Sequence, residues 1–271
     1  NIGESGSANQ SLIGTNYGKI KNLFINCSIS VTIYSNYLGG IKEPFFAGLA
    51  AKNYGTIHDC TVRGSINSKN YESNNASGSA QSTVTSGLIV ALNSGIIYNC
   101  LATGSVTSLV RSSAASIHFL STAKMISGGL VGNNEGQILV CSADVIMKTT
   151  CESTNDTANQ TAYAFSYVGG LIGVSNKTVY NSYSLGSVTN IVKATAPAGS
   201  SPTADVRAYT GGLIGQSSAG IWNCFAIGNV YVTIADSATK VSEYTGRLIG
   251  SGGNIGNIIN SFYASEQIAS R

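Results

Sequence analysis

The apolar positions of this chain fall into columns that repeat over a long period. Leu12, Leu49, Leu88, Leu130, Leu171, Leu213 and Leu248 each sit in a short Gly-Leu-Ile-Gly-like motif and are spaced 35 to 42 residues apart. An aliphatic column follows, made of Ile20, Ile57, Ile97, Ile138, Val179, Ile221 and Ile258. Three residues later comes a column of Leu23, Cys60, Cys100, Cys141, Ser182, Cys224 and Ser261, and then a column containing Ile66, Val106, Val188 and Val230. Self-similarity at such a period is the signature of stacked supersecondary units.

If each line is one coil, equivalent residues stack at the strand spacing of about 4.8 Å, so seven coils make a rod of roughly 33 Å. The position before the cysteine column reads Asn22, Asp59, Asn99, Val140, Asn181, Asn223 and Asn260. In a straight strand the isoleucine and cysteine columns would face opposite sides. Both suit an interior, so the chain must bend between them, and Asn tolerates the left-handed conformation of such a corner. A second polar column, Asn16, Asn53, Asn93, Asn134, Asn176, Ser218 and Asn254, marks another corner. These columns predict an all-β fold, a parallel β-helix of about seven three-sided coils occupying residues 1–271 as one domain. Longer segments, such as 67–85 and 189–210, add residues to the coils, and several, such as 230–245, have two β-prone arms around a polar tip and read as hairpins or long loops projecting from one corner.

The repeated Gly-Gly-Leu-Ile-Gly, Gly-x-Ile-x-Asn-(Ser/Cys) and Gly-Ser-Val segments resemble the GLUG-motif repeat over nearly the whole chain, most closely at Gly169 to Val188 and Gly211 to Val230. That repeat occurs in non-catalytic regions of bacterial surface proteins, including adhesins and IgA-specific metallopeptidases. The resemblance implies a solenoid exported to the cell surface, with no cofactor and no catalytic residue. The long segments depart from the compact form of the repeat.

Composition narrows the function classes. Only 10% of residues are charged and the net charge is +3, with basic residues scattered, so nucleic acid is not an expected partner. No apolar run is long enough for a membrane span. The expected partners are the chain itself or further coils of a longer solenoid, together with cell-surface or matrix carbohydrate or protein. The array begins and ends without a charged or helical cap, which predicts stacking at the coil ends. Alternation on the strand after the corner sends Leu101, Tyr183, Phe225 and Phe262 outward with Thr103, Leu185 and Ile227, an apolar stripe that reads as an assembly contact unless the long segments fold over it.

Candidate chemistry is sparse. Cys60, Cys100, Cys141 and Cys224 share a column that accepts Ser, which favours packing thiols over bridges. Cys27 aligns with Gly64, Cys151 lies in a long segment, and both are expected to be free or joined to another molecule. Neither histidine, His58 at an outward position nor His118 in a long segment, has metal-ligand spacing. The main rival reading is a polysaccharide lyase or hydrolase, for which stacking of Asp205, Asp236 and Glu243 offers the one acidic constellation. An ice-binding surface ranks after it. Sequons at Asn9, Asn26, Asn75, Asn155, Asn159 and Asn176 are about as frequent as chance gives in so Asn-, Ser- and Thr-rich a chain.

Overall fold

The computed structural model describes residues 9–35, 43–74, 79–115, 120–157, 160–197, 203–235, 239–252 and 258–264, without the Asn74 side chain. The chain is a parallel β-solenoid, and the strands described pair with the equivalent strands of neighbouring coils. The isoleucine column is one unbroken ladder, Ile20 to Ile57 to Ile97 to Ile138 to Val179 to Ile221 to Ile258. Its middle members are fully buried beside the leucines.

Among the described residues the first six coils each contribute to four sheets, one more than the columns predict, and the seventh contributes to three. The leucine sheet and the isoleucine sheet have seven strands each, such as Val131–Asn134 and Gln137–Leu139 in the fourth coil. After the corner comes a nine-stranded cysteine sheet, whose longest strands are Thr61–Asn74, Leu101–Ala114 and Ser142–Asn155. A six-stranded return sheet, with strands such as Ala80–Gly87, Ser121–Gly128 and Ala162–Gly169, brings the chain back.

The long segments are therefore not hairpins. Their outgoing arms extend the cysteine sheet, their returning arms form the return sheet, and the two sheets pack face to face. Ser68 Oγ lies 2.9 Å from Ser108 Oγ, which lies 3.2 Å from Ser86 Oγ, which lies 2.7 Å from Ser127 Oγ, so the seam between the sheets is a buried chain of hydroxyls. The physical reason is register. A hairpin satisfies one edge of each arm, whereas an arm repeated in the coils on either side finds partners on both edges.

Two columns shift by one residue. Ala50 pairs with Val90 and Val90 with Val131, which puts Ile89 in the leucine column and Leu88 in the glycine column before it. Leu88 is fully buried between Gly48 and Gly129, neither of which has a Cβ. In the second polar column the partner of Asn134 is Ser175, followed by Ser217 and Gly252, and not Asn176 and Ser218; Asn254 lies outside the described residues. Asn16 Nδ2 donates to Asn53 Oδ1 at 2.7 Å, Asn53 to Asn93 at 2.8 Å, Asn93 to Asn134 at 2.8 Å and Asn134 to Ser175 Oγ at 3.0 Å. Asn176 sits outside this ladder, accepting at 3.1 Å from Ser218 Oγ.

Glycine is required where coils touch backbone to backbone. A Cβ on Gly212 would lie 2.0 Å from the carbonyl oxygen of Arg247, and Gly212 is buried while Arg247 is half-exposed with its guanidinium 5.5 Å from the centre of the Tyr263 ring. A Cβ on Gly136 would lie 2.0 Å from the carbonyl oxygen of Gly95, whereas one on Gly14 meets nothing within 4 Å. Gly136→Ala should therefore lower unfolding free energy by roughly 1–3 kcal/mol, and Gly14→Ala should stay within about 0.5 kcal/mol of the parent. Paired denaturant titrations measure both, and equal effects would contradict the close-approach explanation.

Candidate functional surface at the left-handed corner

The corner column has the left-handed backbone its Asn content predicts. Asn22, Asp59, Asn99, Val140, Asn181, Asn223 and Asn260 have φ of 56°, 53°, 50°, 54°, 49°, 53° and 48°. In the six later coils the next residue closes the corner with a short hydrogen bond, whereas in the first coil that residue is Leu23, which has no side-chain donor and is 39% exposed. Cys100 Sγ donates to the carbonyl of Tyr98 at 3.2 Å, Cys141 to that of Leu139 at 3.2 Å and Cys224 to that of Trp222 at 3.2 Å. Ser182 Oγ makes the same bond to Tyr180 at 2.7 Å and Ser261 to Ile259 at 2.9 Å. A small donor pointing back two residues is the common requirement, so Cys and Ser interchange.

All six cysteines are free thiols. Burial pushes the Cys60 and Cys224 thiols up, and at Cys100 the hydrogen bond with Cys141 adds to burial in the same direction. Cys27 pairs with Gly64 as aligned and is half-buried. Cys151 is fully buried in the seam with Sγ 3.4 Å from the carbonyl oxygen of Ala123, which closes it to another molecule.

On the outer side of the corner the side-chain amides form their own ladder. Asn99 Nδ2 donates to Asp59 Oδ1, and Asn223 Nδ2 donates to Asn181 Oδ1 at 3.0 Å. Hydrogen bonds from His58 and Asn99 hold the Asp59 carboxyl below the usual carboxylate range. His58 is buried and not outward-exposed: its ring stacks on Tyr98 at 4.6 Å, and Nδ1 lies 2.6 Å from Asp59 Oδ2. The ladder breaks at Val140, a β-branched residue held at positive φ and 54% exposed.

The next outward column is Phe24, Thr61, Leu101, Ser142, Tyr183, Phe225 and Phe262. Tyr183 stacks on Phe225 at 4.7 Å and Phe225 on Phe262 at 5.3 Å, with planes 4° and 6° apart. Leu185 and Ile227 are exposed beside them. The long segments do not cover this stripe, because they continue the same sheet instead of folding back over it. Between the amide ladder and the stripe runs a groove lined by Asp59, Thr61, Asn99, Leu101, Val140, Ser142, Asn181 and Tyr183.

A second aromatic ladder, missed in the sequence reading, lies on the outer face of the return sheet. Tyr167, Tyr209 and Tyr244 stack at 4.8 and 5.0 Å, and each stands two residues before a glycine of the return sheet, which is the spacing that could have revealed them. Arg207 covers the Phe165 ring on the same face.

The acidic constellation is not assembled. Asp205 is buried with its carboxylate 3.1 Å from Arg207 and 3.8 Å from Lys240. Glu243 pairs in register with Ala208, an odd number of residues from Asp205, which puts it on the opposite sheet face. Asp236 and His118 lie outside the described residues, as do the sequons at Asn75 and Asn159. Asn155 is buried, with Oδ1 accepting from the Thr157 amide at 3.1 Å, and is closed to a glycan. No group of three or more metal-ligating side chains occurs among the described residues. The extended arms of the cysteine sheet are regular where hairpins or loops were expected, and one outward column there mixes Thr107 and Thr189 with Asn67, Lys148 and Tyr231.

No family model matches the chain, and no curated protein or solved structure matches it either. The GLUG resemblance therefore stands on the motif residues alone.

Two outcomes follow from the corner. In the native protein Cys60, Cys100, Cys141, Cys151 and Cys224 should resist alkylation and Cys27 should label first, with all six labelling after denaturation without reductant; a thiol that labels only after reduction would contradict this. Val140→Asn should raise the unfolding free energy by roughly 1 kcal/mol, since it relieves a strained φ and joins the amides of Asn99 and Asn181. A lowered melting temperature in that variant would show that Val140 is not strained.

Proposed function

We propose that this chain is a non-catalytic structural or adhesive repeat protein of the extracellular surface. It is a rod segment that extends by coil-on-coil stacking with a second copy, or by continuation into further coils. The observation that carries the reading is that the first and last coils hold the same kinds of residue in the same columns. Phe24 shares a column with Phe262, Ile20 with Ile258, Asn22 with Asn260 and Leu12 with Leu248. Stacking would place an aromatic ring on the open face of Phe262, whose other face is 5.3 Å from Phe225. It would also bury Leu12 and Ile258, which are 66% and 50% exposed while the middle members of their columns are at 0%. An aromatic pair is worth about 0.5–1.5 kcal/mol beyond its burial.

The low charge content and the motif resemblance support an exported compartment, and the uncovered stripe supports adhesion. Sedimentation velocity at micromolar concentration, with electron microscopy of the same samples, should show end-to-end species. Phe262→Lys should abolish them and Phe225→Lys should leave them. A monomer at every concentration overturns end stacking between copies, and equal loss in both variants moves the contact to the side of the rod.

A further inference from the structure

We propose that the groove at the fourth coil is a binding subsite for the acetamido group of an N-acetylated amino sugar, displayed on a surface glycan. At this coil two neighbouring outward columns each lack a rung. Val140 interrupts the amide ladder, and Ser142 interrupts the stripe between Leu101 and Tyr183.

The direction of the amide ladder sets what the gap asks for. Asn99 sends Nδ2 towards the second coil, where Asp59 accepts, so its Oδ1 is directed at the fourth. Asn181 presents Oδ1 to Asn223 in the sixth coil, so its Nδ2 is directed at the fourth. Among the described residues neither of those two atoms has a protein partner. An acceptor and a donor therefore face each other across two coil spacings, roughly 9.6 Å. A trans secondary amide fits that interval, because its C=O and N–H point in opposite directions and such groups repeat at about 4.8 Å in every β-ladder. Its carbonyl accepts from Asn181 Nδ2 and its N–H donates to Asn99 Oδ1.

Two further features select an acetamido group on a sugar ring. The exposed Val140 side chain forms the floor under the gap and meets the acetyl methyl. Tyr183 has one ring face on Phe225, and the other faces the small Ser142, which leaves it open to the apolar face of a pyranose. Thr61, Ser142 and Asp59 supply hydroxyl and carboxylate partners along the groove for sugar hydroxyls. A β-branched residue at positive φ is a costly choice at a position where five of seven coils use Asn, and strain of that kind concentrates at ligand clamps.

The subsite deepens the adhesive reading but is measured apart from it, since ligand binding is read on the isolated chain and assembly by sedimentation. The experiment is a calorimetric or NMR titration with the trimer of N-acetylglucosamine, alongside the glucose trimer and N-acetylalanine methylamide as a blocked peptide. The amino-sugar trimer should bind and the glucose trimer should not. Val140→Asn, whose own amide fills the gap, should weaken binding about tenfold or more, the worth of a hydrogen bond to each neighbour. Asn181→Gly keeps the left-handed corner, removes the donor and should weaken binding as well. Absence of amino-sugar binding, equal binding of the glucose trimer, or unchanged binding in both variants overturns the proposal. Preferential binding of the blocked peptide also overturns it and assigns the gap to a polypeptide.

Discussion

A chain that turns inward at the same point in seven successive coils needs one residue per coil that accepts φ near +50°. Everything else is placed by counting from that residue. The isoleucine ladder ends two positions before it, the thiol or hydroxyl that closes the corner comes one position after it, and the outward stripe two positions after it. A single added or lost residue in a strand would reverse every side chain beyond it, and the solenoid has no spare face on which to hide the error. The left-handed corner is thus the fixed point of the register, which explains why Asp59 and even Val140 adopt it when Asn is missing.

Once register is fixed, stability follows from nearest neighbours. Each coil offers its backbone to its neighbours, like residues stack on like about 4.8 Å away in the polar column that starts at Asn16, and the core is a stack of similar contacts. Polar columns survive in the interior for this reason. Asn53 can be fully buried because it donates to Asn93, accepts from Asn16 and reaches the carbonyl of Gly55 at 3.3 Å. The same logic explains the hydroxyl seam between the arms, where small side chains let two sheets approach and each oxygen meets another.

The solenoid was legible in the sequence because ladders demand like residues at like positions, and the isoleucine and corner columns read out without error. Two columns slipped where identity was followed in preference to spacing. Leu88 matched other leucines by type, but Ile89 keeps the eight-residue interval to Ile97 that Leu130 keeps to Ile138. Asn176 matched other asparagines, while Ser175 keeps the four-residue interval to Val179 that Asn134 keeps to Ile138. The arms were misread for a deeper reason. Two β-prone runs around a polar tip carry the same local signal whether they pair with each other or with their images in adjacent coils, and only the coil-to-coil comparison separates the cases. Burial of His58 was invisible for a related reason, since the ring that covers it is Tyr98 from the next coil.

A laddered surface also restricts where recognition can occur. When Tyr209 stacks on Tyr167 at 4.8 Å and on Tyr244 at 5.0 Å, its neighbours occupy both ring faces, and solvent sees mainly its edge. When Asn223 donates to Asn181, the amide groups that point along the rod between those two coils are used on each other. An unbroken ladder therefore occupies the π-faces and the amide groups that point along the rod, whatever its composition. Those groups become available only where a rung is missing. Within the body of the rod, the fourth coil combines a strained apolar residue in the amide ladder with a small one in the stripe. That coincidence frees an acceptor, a donor and an aromatic face within one groove, and it does so without disturbing the backbone ladder that holds the coils in register.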